Sequence, residues 1–229
     1  MHSWSDKTLQ KFSEIFGLNK AQAELNFVDI APGYDTPLYI DPYALTTRDD
    51  NWSNTAHGFV VSFFQSTLQS IAKSDRNKGV RLLSHLGEPE ETHLGVSEEG
   101  NKGRGVGEVQ VVELYDAISR SKAASSGLLE DLSDFALFIP GIGRDKISDI
   151  TTNILRSLLI TYTQEQCNLY NIPMRSVASG FCWNPEQEEW IQDYVDLPVY
   201  DSQKLLLVPK HTVRYRVGVD HSRFRRMFV

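Results

Sequence analysis

The glycine turn Gly141-Ile142-Gly143 and the residues that follow restrict this chain more than any other stretch. The turn opens a helix, expected over about 145–170, in which Asp145, Asp149 and Asn153 recur at four-residue steps and so share one face. Behind that face Ile154-Leu155 and Leu158-Leu159-Ile160 form an apolar body that needs burial. A row of oxygen side chains on such a helix is held rigidly beside a core. Oxygen ligands at this spacing suit Mg²⁺ or Mn²⁺, which take carboxylates together with water. A plainer account makes Asp145 the N-cap and places Asp149 at the favourable end of the helix dipole, but it explains Asn153 poorly.

Around this helix the periodicity predicts further helices over 5–16, 55–74, 80–86, 107–122 and 127–135. Short strands are expected over 25–30, 37–41, 136–139, 204–208 and 212–217, with 180–203 irregular. Long helices interspersed with short strands, without a βαβ rhythm, predict an α+β fold with a small antiparallel sheet. No repeat or low-complexity linker divides residues 1–229, so a single compact domain is expected. The apolar end Arg226-Met227-Phe228-Val229 suits either a tucked terminus or a piece of a longer chain, and the sequence leaves both open.

The loop at 88–107 is the second candidate for chemistry. Glu90, Glu91 and His93 precede a glycine-rich run that contains Lys102 and Arg104. Glycines permit close backbone approach, so backbone N–H groups and two cations there are expected to bind phosphate. The spacing matches neither a Walker A loop nor a dinucleotide fingerprint. Folded over the aspartate helix, the loop would offer Glu91 or His93 as a further ligand or general base. Lys210 follows an apolar run, Leu205 to Val208, as a strand-borne lysine would in a metal nuclease. Val208 stands where the acid of an acid-x-Lys pair belongs, so Asp145 or Asp149 would have to supply that carboxylate.

The formal charge of −7 is unevenly spread: residues 204–229 carry +6 and residues 1–203 carry −13. An acidic body is not that of a free-standing DNA-binding domain, whereas a local basic segment can meet phosphates or an acidic protein surface. Trp183, Trp190, Tyr194 and Tyr200 are expected either to stack on bases or, at this spacing, to pack a loop-rich region. Two cysteines, Cys167 and Cys182, are too few for a disulfide framework and are expected as reduced thiols. No run approaches the roughly 18 apolar residues of a membrane helix. Met1 to Lys7 lacks the pattern of a secretory signal, so a cytoplasmic protein is expected.

These features lead to one functional expectation and one alternative. The first is a divalent-metal-dependent phosphodiester hydrolase acting on nucleic acid or a nucleotide. Asp145, Asp149 and Asn153 would hold Mg²⁺ or Mn²⁺, Glu91, His93 and Lys210 would take part in catalysis, and Lys102 and Arg104 would bind phosphate. The alternative is a non-catalytic subunit of a larger assembly, binding a protein partner, a second copy or nucleic acid through its basic segment 204–229.

Overall fold

In the computed structural model, which describes residues 10–95, 108–121 and 143–215, helices pack with small two-stranded antiparallel ladders in an α+β arrangement. The helices are α1 (Phe12–Ile15), α2 (Pro42–Thr46), α3 (Asn51–Ala72), α4 (Arg76–Leu83), α5 (Glu108–Arg120), α6 (Arg144–Ile154) and α7 (Arg156–Leu169). The strands are β1 (Leu38–Ile40), β2 (Arg175–Ala178), β3 (Cys182–Asn184), β4 (Glu189–Ile191), β5 (Tyr194–Leu197), β6 (Val199–Tyr200), β7 (Gln203–Lys204) and β8 (Val213–Tyr215). They pair as β1–β8, β2–β5, β3–β4 and β6–β7. Three helices start where an aspartate can cap them: Asp41, Asp50 and Asp75 accept from the backbone N–H groups of Tyr43, Ser53 and Lys78.

Two apolar clusters hold these elements. The larger joins Val60, Phe63 and Phe64 of α3 to Ile150 and Ile154 of α6, Leu159 of α7 and Trp183 of β3. The smaller gathers Phe12, Phe27, Ile30, Cys167, Leu205 and Leu207. Both cysteines are buried and free. No described helix is long and apolar enough to cross a membrane.

The helix expected over 145–170 is present as two segments that meet at Leu155, whose ψ of 0° leaves the helical range. Thr151 and Thr152 donate their hydroxyls to the carbonyls of Ile147 and Ser148 at 2.6 and 2.7 Å, and such back-bonding bends helices. Residues 180–203, expected to be irregular, contain β3 to β6. These strands have only two to four residues each, too few for an alternating pattern to show. Trp183 and Trp190 face each other across the β3–β4 pair and pack on Phe63, which is the packing role rather than base stacking.

Leu205 to Val208, expected as a strand, is extended and buried but joins no ladder. Its backbone groups find separate partners instead: Pro198 O, Glu91 O, the Thr163 hydroxyl and, through Val208 O, the N–H of Val28. Of the strand expected at 25–30, a single bridge between Phe27 and Pro209 forms. The helix and strand expected over 127–139 lie outside the described residues.

Candidate functional site

The aspartate helix begins at Gly143, which takes the cap position, so Asp145 sits in the first turn rather than at the cap. Ser148, one turn on, accepts the Ile40 N–H at 2.9 Å and fixes α6 against β1. Asp149 is half-buried on the neighbouring face, and Asp145 is exposed. Burial, then repulsion from Glu88, Asp145 and Asp35, pushes the Asp149 carboxyl up to about 7. Glu88 is raised as well, by burial and by Asp35 and Glu90. The charges of Glu88, Asp145 and Asp35, from three separate stretches of chain, therefore all act on Asp149.

The backbone between Thr36 and Gly95 explains how. Thr36 N–H donates to His93 O at 2.8 Å, and Gly95 N–H donates to Thr36 O at 2.9 Å, which sets Asp35 beside the 88–93 segment. His93 is left-handed at φ 47°, a conformation few residues other than glycine and asparagine adopt. The residue is 9% exposed, and its buried Nε2 has no hydrogen-bond partner. Burial lowers its pKa against the opposing pull of Asp35 and Glu90, which favours the neutral ring.

Asn153, expected as a third metal ligand, has a different task. Its amide donates to Gly87 O at 2.6 Å and to Asp149 O at 2.8 Å, and its oxygen accepts from Arg156 Nη2 at 2.8 Å. Glu91 forms a buried ion pair with Arg156, and Lys204 stands 3.9 Å away. Glu91 is therefore occupied in holding the 87–94 segment to the joint between α6 and α7, rather than free as a ligand or base. Lys210 Nζ donates to Ala23 O at 3.1 Å, and its N–H bonds Asn26 O, so it is tied to the 23–26 segment. Lys102 and Arg104 lie outside the described residues.

A domain-family model described as a domain of unknown function (DUF8370) matches residues 17–219. The chain belongs to the DUF8370 family. Neither a curated protein nor a solved structure matches it. The DUF8370 span contains Asp35, Glu88, His93, Asp145 and Asp149, together with the Glu91–Arg156 pair beside them.

Among the described residues, no three His, Cys, Asp or Glu side chains converge closely enough to enclose a metal ion by themselves. Asp35, Glu88 and Arg156 were not singled out by the sequence. Asp35 and Glu88 are 53 residues apart, and only the Thr36–Leu94 bridge explains how the charge of one acts on the other.

Two other groupings carry less. Ser53 Oγ lies 3.4 Å from His211 Nε2, in the manner of a nucleophile and base, but Ser53 is completely buried and no substrate reaches it. A pocket of about 440 Å³ between α4 and the β3–β4 turn is lined by Lys78, Arg81, His85, Glu188, Glu189 and Trp190. Lys78 there is neutralised by Glu188 at 2.6 Å, and the lining mixes both signs of charge.

Proposed function

We propose that this chain is a divalent-cation-dependent phosphodiester hydrolase acting on nucleic acid or a nucleotide, centred on Asp149. One observation carries the reading: Asp149 is held half-buried among Glu88, Asp145 and Asp35, which raises its pKa to about 7. Gathering like charges works against folding, and a bound cation reverses that repulsion into attraction. Asp149 and Asp145 would contact Mg²⁺ or Mn²⁺, while Asp35 and Glu88 would accept hydrogen bonds from its waters. The cation would supply an activated water and neutralise phosphate charge. We place this reaction in the cytoplasm, in keeping with two buried, free thiols.

The test is calorimetric titration of Mn²⁺ and Mg²⁺ into the protein and into an Asp145→Asn/Asp149→Asn variant, with hydrolysis of nucleic-acid substrates measured in parallel. Loss of both binding and hydrolysis in the variant is expected. Binding that survives the double substitution would return these carboxylates to a structural role.

A second reading, a non-catalytic subunit of a larger assembly, draws on large apolar side chains left at the surface: Tyr194 is 75% exposed, Tyr43 63% and Leu169 62%. It requires a co-purifying partner or oligomer. A clean monomer by light scattering, with no partner recovered, counts against it.

A further inference from the structure

We propose that the cavity of about 440 Å³ between α4 and the β3–β4 turn binds a free α-amino acid with an aromatic or aliphatic side chain, Arg81 receiving its carboxylate, Glu189 its ammonium group and Trp190 its side chain. This role is independent of the hydrolysis centred on Asp149. Arg81 and Glu189 line the cavity with opposite charges, and both are exposed. Among the described residues neither side chain forms an ion pair or a hydrogen bond, with the other or with a third group. The other two charges on the lining, Lys78 and Glu188, neutralise one another at 2.6 Å. Burial holds His85 below the usual histidine range, so its ring adds no charge at neutral pH. What remains is one cation and one anion facing the same space. A singly charged ligand meets one attracting and one repelling group there, whereas a zwitterion meets two that attract.

The walls are fixed by contacts behind them. Arg81 and Leu82 follow Lys78 by three and four positions, so the three share one face of α4. That helix is seated closely on α5, because Gly79 leaves room for the Tyr115 ring where a Cβ would collide. On the opposite wall Asn184 Oδ1 accepts the N–H groups of Glu186 and Gln187 at 2.9 and 3.1 Å, which shapes the turn leading to Glu189. The Trp190 indole donates to Leu82 O at 2.8 Å. Its ring packs against Phe63, Trp183 and His85, with centroids 5.6, 5.8 and 5.7 Å away. His85 in turn stacks on Phe181 at 3.5 Å. An indole held in this way offers an apolar side chain a surface that needs no rearrangement. The volume falls at the lower end of the range for small-ligand pockets, about 300–1,000 Å³, in keeping with a single amino acid.

The test uses the full chain with L-phenylalanine and L-leucine, and with two analogues of the former: N-acetyl-L-phenylalanine, which lacks the ammonium group, and L-phenylalaninamide, which lacks the carboxylate. Affinities are measured by calorimetry for the unaltered protein, Arg81→Ala and Glu189→Gln, both substitutions being at exposed positions that leave the core intact. The tryptophan indole N–H resonances are followed by NMR in the same titrations. At least one of the two amino acids is expected to bind, and to lose about tenfold or more in each variant. Where L-phenylalanine binds, each analogue should bind the unaltered protein about tenfold more weakly. Arg81→Ala should then leave the affinity for L-phenylalaninamide unchanged, and Glu189→Gln that for N-acetyl-L-phenylalanine. The Trp190 indole resonance should shift on binding while that of Trp52 stays in place. Absence of binding by L-phenylalanine and L-leucine alike, an affinity unaltered in either variant, or an unmoved Trp190 resonance overturns the proposal.

Discussion

Asp149 and Arg156 show how single residues here carry opposite electrostatic burdens. The folded Asp149 carboxyl keeps its proton up to about pH 7, whereas an unfolded one loses it near 3.8. Its contribution to stability is therefore fully present below pH 4 and is lost as pH rises through 7, by an upper bound of ~4 kcal/mol. Thermal unfolding from pH 4 to 8 should show Asp149→Asn gaining on the unaltered protein as pH rises, and parallel curves would refute the shift. Arg156 is buried with Glu91, so removing it strands a carboxylate. Arg156→Ala is expected to cost about 3–5 kcal/mol in urea unfolding, while Glu91→Leu/Arg156→Met should recover much of that loss. The Asp149 face was legible in the sequence because a helical period places carboxylates at fixed steps on one side. The Arg156–Glu91 pair was not, since 65 residues separate them and charge alone names no partner.

At the level of elements, α6 is positioned by a side-chain to backbone bond rather than by apolar contact alone. Ser148 receives the Ile40 N–H in a buried setting, so Ser148→Ala leaves that donor unpaired at a cost of about 1–3 kcal/mol. Hydrogen exchange at the Ile40 amide should accelerate in this variant more than exchange in α3, and an unchanged Ile40 rate would sink the idea. Gly180 has φ +80° and would place a Cβ 3.3 Å from Arg156 Nη1. Gly180→Ala is accordingly expected to destabilise by about 1–2 kcal/mol, read from the same urea curves. The longer helices could be anticipated to within a few residues, because amphipathic runs of eight or more residues are local signals, whereas the short helix Pro42–Thr46 carries too few residues for a period to show. The break at Leu155 and the strands between 180 and 203 could not, because they arise from threonine back-bonding and from pairings of two to four residues.

For the whole molecule, a cation at Asp149 would link ligand binding to stability. Mn²⁺ at a hundred times its dissociation constant should stabilise the fold by about 2.7 kcal/mol, and more strongly at pH 8 than at pH 6, because the carboxyl must first ionise. A Tm that ignores Mn²⁺ at both pH values would argue against the site. Composition and periodicity by themselves determined an α+β protein and a helix rooted in the core with Asp145 and Asp149 on one face, because burial and helical spacing are properties of neighbouring residues. Tertiary structure decided which of the expected groups meet. It set Asp35 beside the 88–93 segment, turned Asn153 and Glu91 to holding the 87–94 segment, and tied Lys210 to the 23–26 segment. Those outcomes depend on one backbone bridge between Thr36 and Leu94 and one buried ion pair, contacts between residues far apart in the chain that leave no mark on local sequence.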